Sequence, residues 1–130
     1  FTKIPGGMAG VETRPVLIYT YGVLTGKLTI EQMCRLLSEN PAKLYGMYPQ
    51  KGCIAPGSDA DIVVWEPDEA WTLTRDNQVA NVDYQAYEGF EVKGKAEKVY
   101  LHGELVVEDG RVVKEFEGRY VRRKTRTEID

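Results

Sequence analysis

A chain of 130 residues, 42% of them apolar, is long enough for one ordinary domain with a hydrophobic core. Its net charge of −3, from 17 basic and 20 acidic residues, provides no broad basic surface for a phosphate backbone, which argues against nucleic acid as a partner. No run approaches the roughly 20 apolar residues that cross a bilayer, so no membrane association is expected.

The two cysteines and the first residues bear on where the protein works. Cys34 and Cys53 are far apart and neither lies in a CxxC pair, so the sequence predicts neither a disulfide framework nor a zinc knuckle. The first residues also lack the pattern of a secretion signal. These features predict a cytoplasmic location. Because the chain begins with Phe1 rather than Met, we expect a piece of a longer protein.

The first half of the chain predicts helices. Thr13 is a candidate N-cap before Pro15, and apolar residues continue at helical spacing toward Gly26, which predicts a helix of about two or three turns. A second helix is predicted from Thr29, which lies three residues before Gln32 in the pattern of a capping box.

The end of the second helix is predicted from proline. Asn40 is followed by Pro41, and this pair is expected to stop the second helix and begin a short third one. Gly46 suits the left-handed position that ends such a helix. Cys34, within the second helix, is expected to be a core or groove cysteine.

The second half of the chain predicts strands. After Gly52 the spacing of apolar residues changes toward a period of two, and Asp61–Pro67 predicts a short buried strand. The sequence WTLT at 71–74 predicts another strand, and a polar irregular stretch follows at 75–89.

The end of the chain predicts a meander. Three apolar runs within 98–116 are joined by His102-Gly103 and Asp109-Gly110, dipeptides that favour positive φ, so a three-stranded antiparallel meander is expected. Residues 119–130 carry mixed charge and predict an exposed arm or a fraying terminus. Because helices precede strands, the chain predicts two parts of different architecture rather than a Rossmann domain.

Few side chains are candidates for chemistry. The single histidine, His102, lies at a predicted turn, where a turn or surface role is favoured over catalysis. Asp59 and Asp61 are expected to end a turn, with Asp59 outside and Asp61 near the strand edge, rather than to form a hydrolytic pair. With no HxH or HExxH spacing, a transition-metal site built from this chain alone is not expected.

Gly6 and Gly7 raise the question of a ligand loop. They fit neither the GxGxxG nor the GxxxxGK[ST] pattern, so the dinucleotide and P-loop interpretations fail. Two readings stay open, a plain turn and a loop whose backbone closely approaches a ligand. The residues alone favour the turn.

The run GKLTIEQMCRLLSENPAKLYGMYPQKGCIAPGSDADIVVWEPD at 26–68 resembles the C-terminal portion of the cyclic amidohydrolases, which include dihydropyrimidinase, hydantoinase and allantoinase. Its most specific elements are SENPAKLYG and KGCIAPGSDADIVVWEPD. Downstream, VDYQAYEGFEVKGKAEKVYLHGELVVEDGRVV and GRYVRRK look most like the hydantoinase and dihydropyrimidinase branch.

The resemblance implies a fold class of α/β plus β. The chain would be the C-terminal end of a (β/α)8 TIM barrel, followed by strands of a small β-sandwich. Residues 1–50 would supply the loop after the eighth barrel strand (Phe1–Val11) and covering helices, residues 51–118 part of the sandwich, and residues 119–130 a C-terminal arm. The opening loop, Phe1–Val11, would face substrate, because active sites of such barrels lie at the carboxyl ends of the strands.

The resemblance also implies a reaction. Relatives open a dihydropyrimidine or hydantoin ring at a C–N bond with two divalent metal ions, zinc being the favoured metal. Their metal ligands and catalytic aspartate precede the segment that aligns here. This chain is therefore expected to contribute no catalytic residue and no metal ligand, to bind no metal by itself, and to be inactive in isolation. A homotetramer, with C-terminal arms reaching neighbours, is the implied assembly.

The implied substrate contacts are Gly6 and Gly7. Many hydantoinases have PNG where this chain has IPGG, and allantoinases commonly carry a Gly-Gly pair similar to GGMAGVE. The opening loop therefore points toward allantoin, whereas the longer resemblance points toward hydantoins and dihydropyrimidines, and we favour the longer match. Allantoinase and a non-catalytic dihydropyrimidinase-like assembly protein are the alternatives.

Overall fold

The computed structural model describes residues 7–124. Two helical regions precede a four-stranded antiparallel sheet with strand order β1-β2-β3-β4. The α-helical segments are α1 (Arg14–Ile18), α2 (Ile30–Cys34) and α3 (Asn40–Leu44), and the strands are β1 (Ile62–Thr72), β2 (Glu91–Leu101), β3 (Glu104–Glu108) and β4 (Arg111–Val112).

The second helix does not stop at proline. A π-helical segment, Arg35–Glu39, joins α2 directly to α3, so helical structure is continuous over 30–44 and the expected break at Asn40 is wrong. Pro41 has no N–H and its ring crowds the carbonyl four residues earlier. The wider π-turn, in which the Asn40 N–H reaches back to the Arg35 carbonyl, accommodates this without a break.

The helix starts are predicted better than the helix ends. Thr29 and Gln32 form the expected capping box, with the Gln32 N–H donating to Thr29 Oγ1 at 3.2 Å and the Thr29 N–H donating to Gln32 Oε1 at 2.8 Å. Thr13 precedes α1 as expected, but its side chain makes no cap hydrogen bond. Its backbone is already helical (φ −84°, ψ −15°), whereas capping requires an extended residue.

Both predicted turns of the meander are confirmed. His102 and Gly103 have φ of 51° and 82°, and Asp109 and Gly110 have φ of 48° and 75°, as two-residue turns between twisted antiparallel strands require. β2 begins at Glu91, earlier than the apolar run alone indicates.

The two short strands expected at 61–74 form one. β1 runs through Pro67 and pairs with β2 on both sides of it, from Ile62 opposite Tyr100 to Thr72 opposite Glu91. The register shifts between Glu66 and Ala70, so Pro67 lies in a bulge where no ladder hydrogen bond from its nitrogen is needed. Proline therefore interrupts the ladder without ending the strand.

The core is small and lies where the first helix crosses the sheet. Val16 of α1 packs with Leu73 and Val92, and partly buried aromatic residues surround them. β1 is not the buried strand that its composition predicts, since Val63 and Val64 are 56% and 38% exposed. No helix within residues 7–124 is long and apolar enough to cross a bilayer.

Candidate functional site

The opening loop leads directly into the first helix. Gly6 lies outside the described residues, as do residues 1–5. Gly7 is exposed, and no described atom lies within 4 Å of a Cβ built on it. Residues 7–10 have no regular structure, and a turn at 11–13 precedes Arg14. The geometry at Gly7 therefore leaves its backbone accessible from outside this part of the chain.

Two side chains tie this region to the connecting segment, residues 75–89. Glu12, immediately after the loop, accepts hydrogen bonds from the backbone N–H groups of Val79 at 2.8 Å and Ala80 at 2.9 Å. The hydroxyl of Tyr84 accepts the N–H of Ala9 at 3.2 Å. The Val79 N–H also reaches the other Glu12 oxygen at 3.1 Å, and we call these four hydrogen bonds the loop anchor.

The loop anchor is the feature that sequence reasoning missed. Its partners are 67 to 75 residues apart, and the connecting segment reads only as a polar irregular stretch. The partners of Glu12 are backbone amides, which carry no identity in the sequence. A carboxylate near a glycine loop was the one available hint, and it is too common to be specific.

A second group of polar residues surrounds the entry to β1. Lys51 forms an ion pair with Asp59 at 2.9 Å and another, shorter one with Asp61. The N–H of His102 donates to Asp61 at 3.0 Å, and Arg119 pairs with Asp59 at 3.1 Å. We call these five residues the charged cluster. It joins the chain before β1, the β2–β3 turn and the C-terminal arm.

The protonation states of the charged cluster are those of stable ion pairs. The hydrogen bond from Lys51 lowers the pKa of Asp59. Burial acts to raise the pKa of Asp61, but bonds from Lys51 and the His102 amide outweigh it and lower the pKa. Burial likewise acts to lower the pKa of Lys51, and the two carboxylates reverse the sign and raise the pKa. All three groups are therefore charged at neutral pH, which suits a structural role.

The expectations for these side chains are met only in part. His102 lies in the turn, as expected, and its ring Nδ1 is 3.8 Å from oxygens of both Asp59 and Asp61. Asp59 lies outside β1 and Asp61 directly precedes its first residue, Ile62, as expected. The Asp59 side chain is 14% exposed and that of Asp61 30%. Cys34 is exposed rather than in the core or a groove, although Met33 beside it is buried.

Within residues 7–124, no three His, Cys, Asp or Glu side chains are grouped so that they could hold a metal ion. Where Asp59, Asp61 and His102 come together, the ammonium group of Lys51 occupies the centre between the carboxylates. Lys51 therefore supplies the positive charge that these carboxylates need.

The C-terminal arm folds back on its own chain as far as it is described. Lys124 donates its N–H to the Gly46 carbonyl at 2.8 Å, and Gly46 has φ of 69°. A Cβ on Gly46 would overlap the Lys124 carbonyl oxygen. The ring of Phe116 lies 5.5 Å from that of His102. Residues 125–130 of the predicted arm lie outside the described residues.

The sequence and fold of the chain are similar to those of known proteins. Residues 4–106 match the amidohydrolase family. The chain is 41% identical to a D-hydantoinase from Ralstonia pickettii over 125 residues, and 39% identical to a D-phenylhydantoinase from Escherichia coli K12, in each case covering 95% of this chain and 27% of the relative. Among solved structures, it is similar to D-hydantoinase (dihydropyrimidinase) from a Thermus species, with a TM-score of 0.84 and 44% identity over 88% of this chain and 25% of that one.

These relatives show which family branch the chain resembles and how much of their length it matches. The resemblance to the hydantoinase and dihydropyrimidinase branch is confirmed across nearly the whole chain. The chain spans about a quarter of the length of the relatives it matches. What it shares with them is therefore one region of a larger protein.

Proposed function

Since the chain belongs to the amidohydrolase family, we propose that it is the C-terminal portion of a metal-dependent hydrolase that opens a cyclic amide, a dihydropyrimidine or a hydantoin, at a C–N bond. The observation that carries this proposal is the agreement of sequence and fold with hydantoinases over nearly all of the chain. The activity belongs to the longer protein, because most of the length of these relatives lies outside the matched region.

The proposed architecture follows the same relatives. Residues 1–50 form the last loop and covering helices of a TIM barrel, residues 51–118 part of a composite β-sandwich, and residues 119–130 a C-terminal arm. Support comes from large apolar side chains left exposed on both halves, since such surface is normally buried against other structure. They include Met8, Val11, Leu24, Ile30, Leu36, Leu44, Ile54, Val63, Val79 and Phe90.

The proposed substrate contacts are the backbone groups of Gly6 and Gly7. Support comes from Gly7, which is exposed and has open space around its α-carbon. A glycine there lets a flat ring approach the main chain more closely than any other residue would. Such contacts orient a ring and select its substituents, while bond breaking is performed by other groups.

The proposed reaction needs metal ions, and we propose that other parts of the longer protein hold them. Two divalent ions, with zinc favoured, would polarise the ring carbonyl and activate water. The residues described here do not fit such a pair, since the carboxylates that come closest to one another are neutralised by Lys51. We therefore assign no catalytic residue and no metal ligand to this chain.

Assembly and location complete the proposal. A homotetramer is proposed by analogy with the family, and the C-terminal arm is the proposed contact between subunits. A cytoplasmic location is proposed because both described cysteines are free thiols. The small-molecule substrate and the rest of the same polypeptide are the other partners.

The proposal is tested by substrate comparison in the full-length protein. We expect turnover of dihydrouracil or a 5-substituted hydantoin to exceed that of allantoin, and Gly6→Asn to raise the ratio of hydantoin to allantoin turnover. Faster opening of allantoin would select the allantoinase alternative. Failure to open any of these rings, with metal supplied, would select the non-catalytic assembly protein.

A further inference from the structure

The loop anchor holds the end of the opening loop with a charged acceptor. The two carboxylate oxygens of Glu12 accept consecutive backbone amides, Val79 at 2.8 Å and Ala80 at 2.9 Å. Hydrogen bonds to an ionised acceptor are roughly twice as strong as neutral ones. Two such bonds at adjacent amides fix both the position and the direction of the Glu12 side chain.

Tyr84 holds the same loop closer to the glycines. Its hydroxyl accepts the N–H of Ala9, which is two residues after Gly7. Within residues 7–124, the Tyr84 bond and the Glu12 bonds are the hydrogen bonds that join residues 7–12 to the connecting segment. The loop is therefore held at two points by a segment distant in sequence.

The loop needs this support because of its composition. Glycine restricts the backbone least, so the position of the Gly7 amide depends on what holds the neighbouring residues. The helix that follows begins only at Arg14 and fixes the far end of the loop. Between Gly7 and Arg14, the loop anchor joins the chain to the connecting segment at Ala9 and at Glu12.

We propose that Glu12 and Tyr84 are positioning residues, which hold Gly7 at the distance a cyclic amide requires; this rests on the proposed function. The connecting segment thereby becomes part of the specificity machinery although it contributes no group that touches the ring. Displacement of a backbone group that orients the ring weakens substrate binding, while bond breaking is performed by other groups.

The test uses Tyr84→Phe and Glu12→Gln in the full-length protein. Tyr84→Phe removes the accepting hydroxyl, and Glu12→Gln replaces one carboxylate oxygen by an NH2 group, which donates and cannot accept a hydrogen bond. The matched control is Glu88→Gln, since Glu88 accepts the Arg75 N–H at 2.8 Å within the connecting segment without reaching the loop. Kinetics with a 5-substituted hydantoin and with allantoin are combined with hydrogen exchange of residues 7–12.

We expect each loop variant to raise KM for the hydantoin about threefold to tenfold, the effect of one lost hydrogen bond, with kcat changed less than about twofold. The ratio of the two substrates should shift, and residues 7–12 should exchange faster. Glu88→Gln should leave KM, kcat, the ratio of the two substrates and the exchange of residues 7–12 unchanged. A purely structural role would lower the melting temperature without separating KM from kcat.

The outcomes distinguish this proposal from the proposed function. If the wild type opens hydantoin and Gly6→Asn shifts the substrate ratio, then unchanged KM and exchange in both loop variants overturn the role of the loop anchor alone. Equal effects of Glu88→Gln also overturn it. A wild type that opens no cyclic amide overturns the proposed function and the positioning role together.

Discussion

Gly94, in β2, has no room for a side chain. It has φ of 85° and lies in β2 opposite the bulge of β1. A Cβ there would lie 2.7 Å from Nε1 of Trp65 and 2.9 Å from the ring of Tyr19. These two rings contact each other edge to face with centroids 5.5 Å apart, so neither can move without disturbing the other.

The cost of Gly94→Ala has two parts. A residue with a Cβ in a left-handed conformation costs about 1–2 kcal/mol. Forcing a methyl group into a packed contact adds about 1–3 kcal/mol. The sum, about 2–5 kcal/mol, is a large fraction of the stability of a typical domain.

Hydrogen exchange of β1 and β2 in the full-length protein measures this cost locally. Protected amides near Gly94 should exchange at least about thirtyfold faster in Gly94→Ala, because 1.4 kcal/mol corresponds to a factor of ten. Gly57→Ala is the control: its φ is 92° but no described atom lies within 4 Å of the added Cβ. It carries the left-handed cost without the packing cost, so it should speed the exchange of these strands less than Gly94→Ala does. Equal effects of the two substitutions would refute the packing argument.

Further predictions concern the charged cluster, the arm and the isolated chain. The lowered carboxyl pKa values add stability above about pH 4 that is lost as pH falls through the folded pKa values, and the raised Lys51 pKa adds stability below about pH 10 that is lost above it. Lys51→Met should therefore lower the melting temperature most between about pH 4 and pH 10. A difference in melting temperature between wild type and variant that grows below about pH 4 would contradict this. Gly46→Ala should displace Lys124 and speed tryptic cleavage of the arm, whereas Gly26→Ala, with similar φ and open space, should not; equal cleavage would remove the packing role of Gly46. The purified 130-residue chain should not open dihydrouracil or a hydantoin, and metal-dependent turnover by it would show that catalytic groups lie within this segment.

Local signals in the sequence predicted local structure well. The capping box at Thr29 and the turns at His102-Gly103 and Asp109-Gly110 were all found, because each depends on two to four adjacent residues. The predicted helix break at Pro41 and the predicted strand end at Pro67 were wrong because they also relied on adjacent residues alone. Their local preference is to interrupt, and the π-turn and the bulge that absorb them depend on surrounding structure.

Burial and the candidate site were harder to predict. Composition predicted that Val63 lies in a buried strand, and the structure leaves it 56% exposed, because burial depends on which elements pack against the strand. The loop anchor was not predictable, since Glu12 binds main-chain amides of a segment without pattern. The family was predictable, because SENPAKLYG and the residues after it form a long, specific match.

The most direct test of the account is ring opening by the full-length protein that carries this segment. Purified protein is assayed with dihydrouracil and a 5-substituted hydantoin before metal removal, after chelation, and after zinc is restored. We predict hydrolysis of at least one ring, its loss on chelation and its recovery with zinc. No hydrolysis of either ring in the metal-restored protein would contradict the central claim.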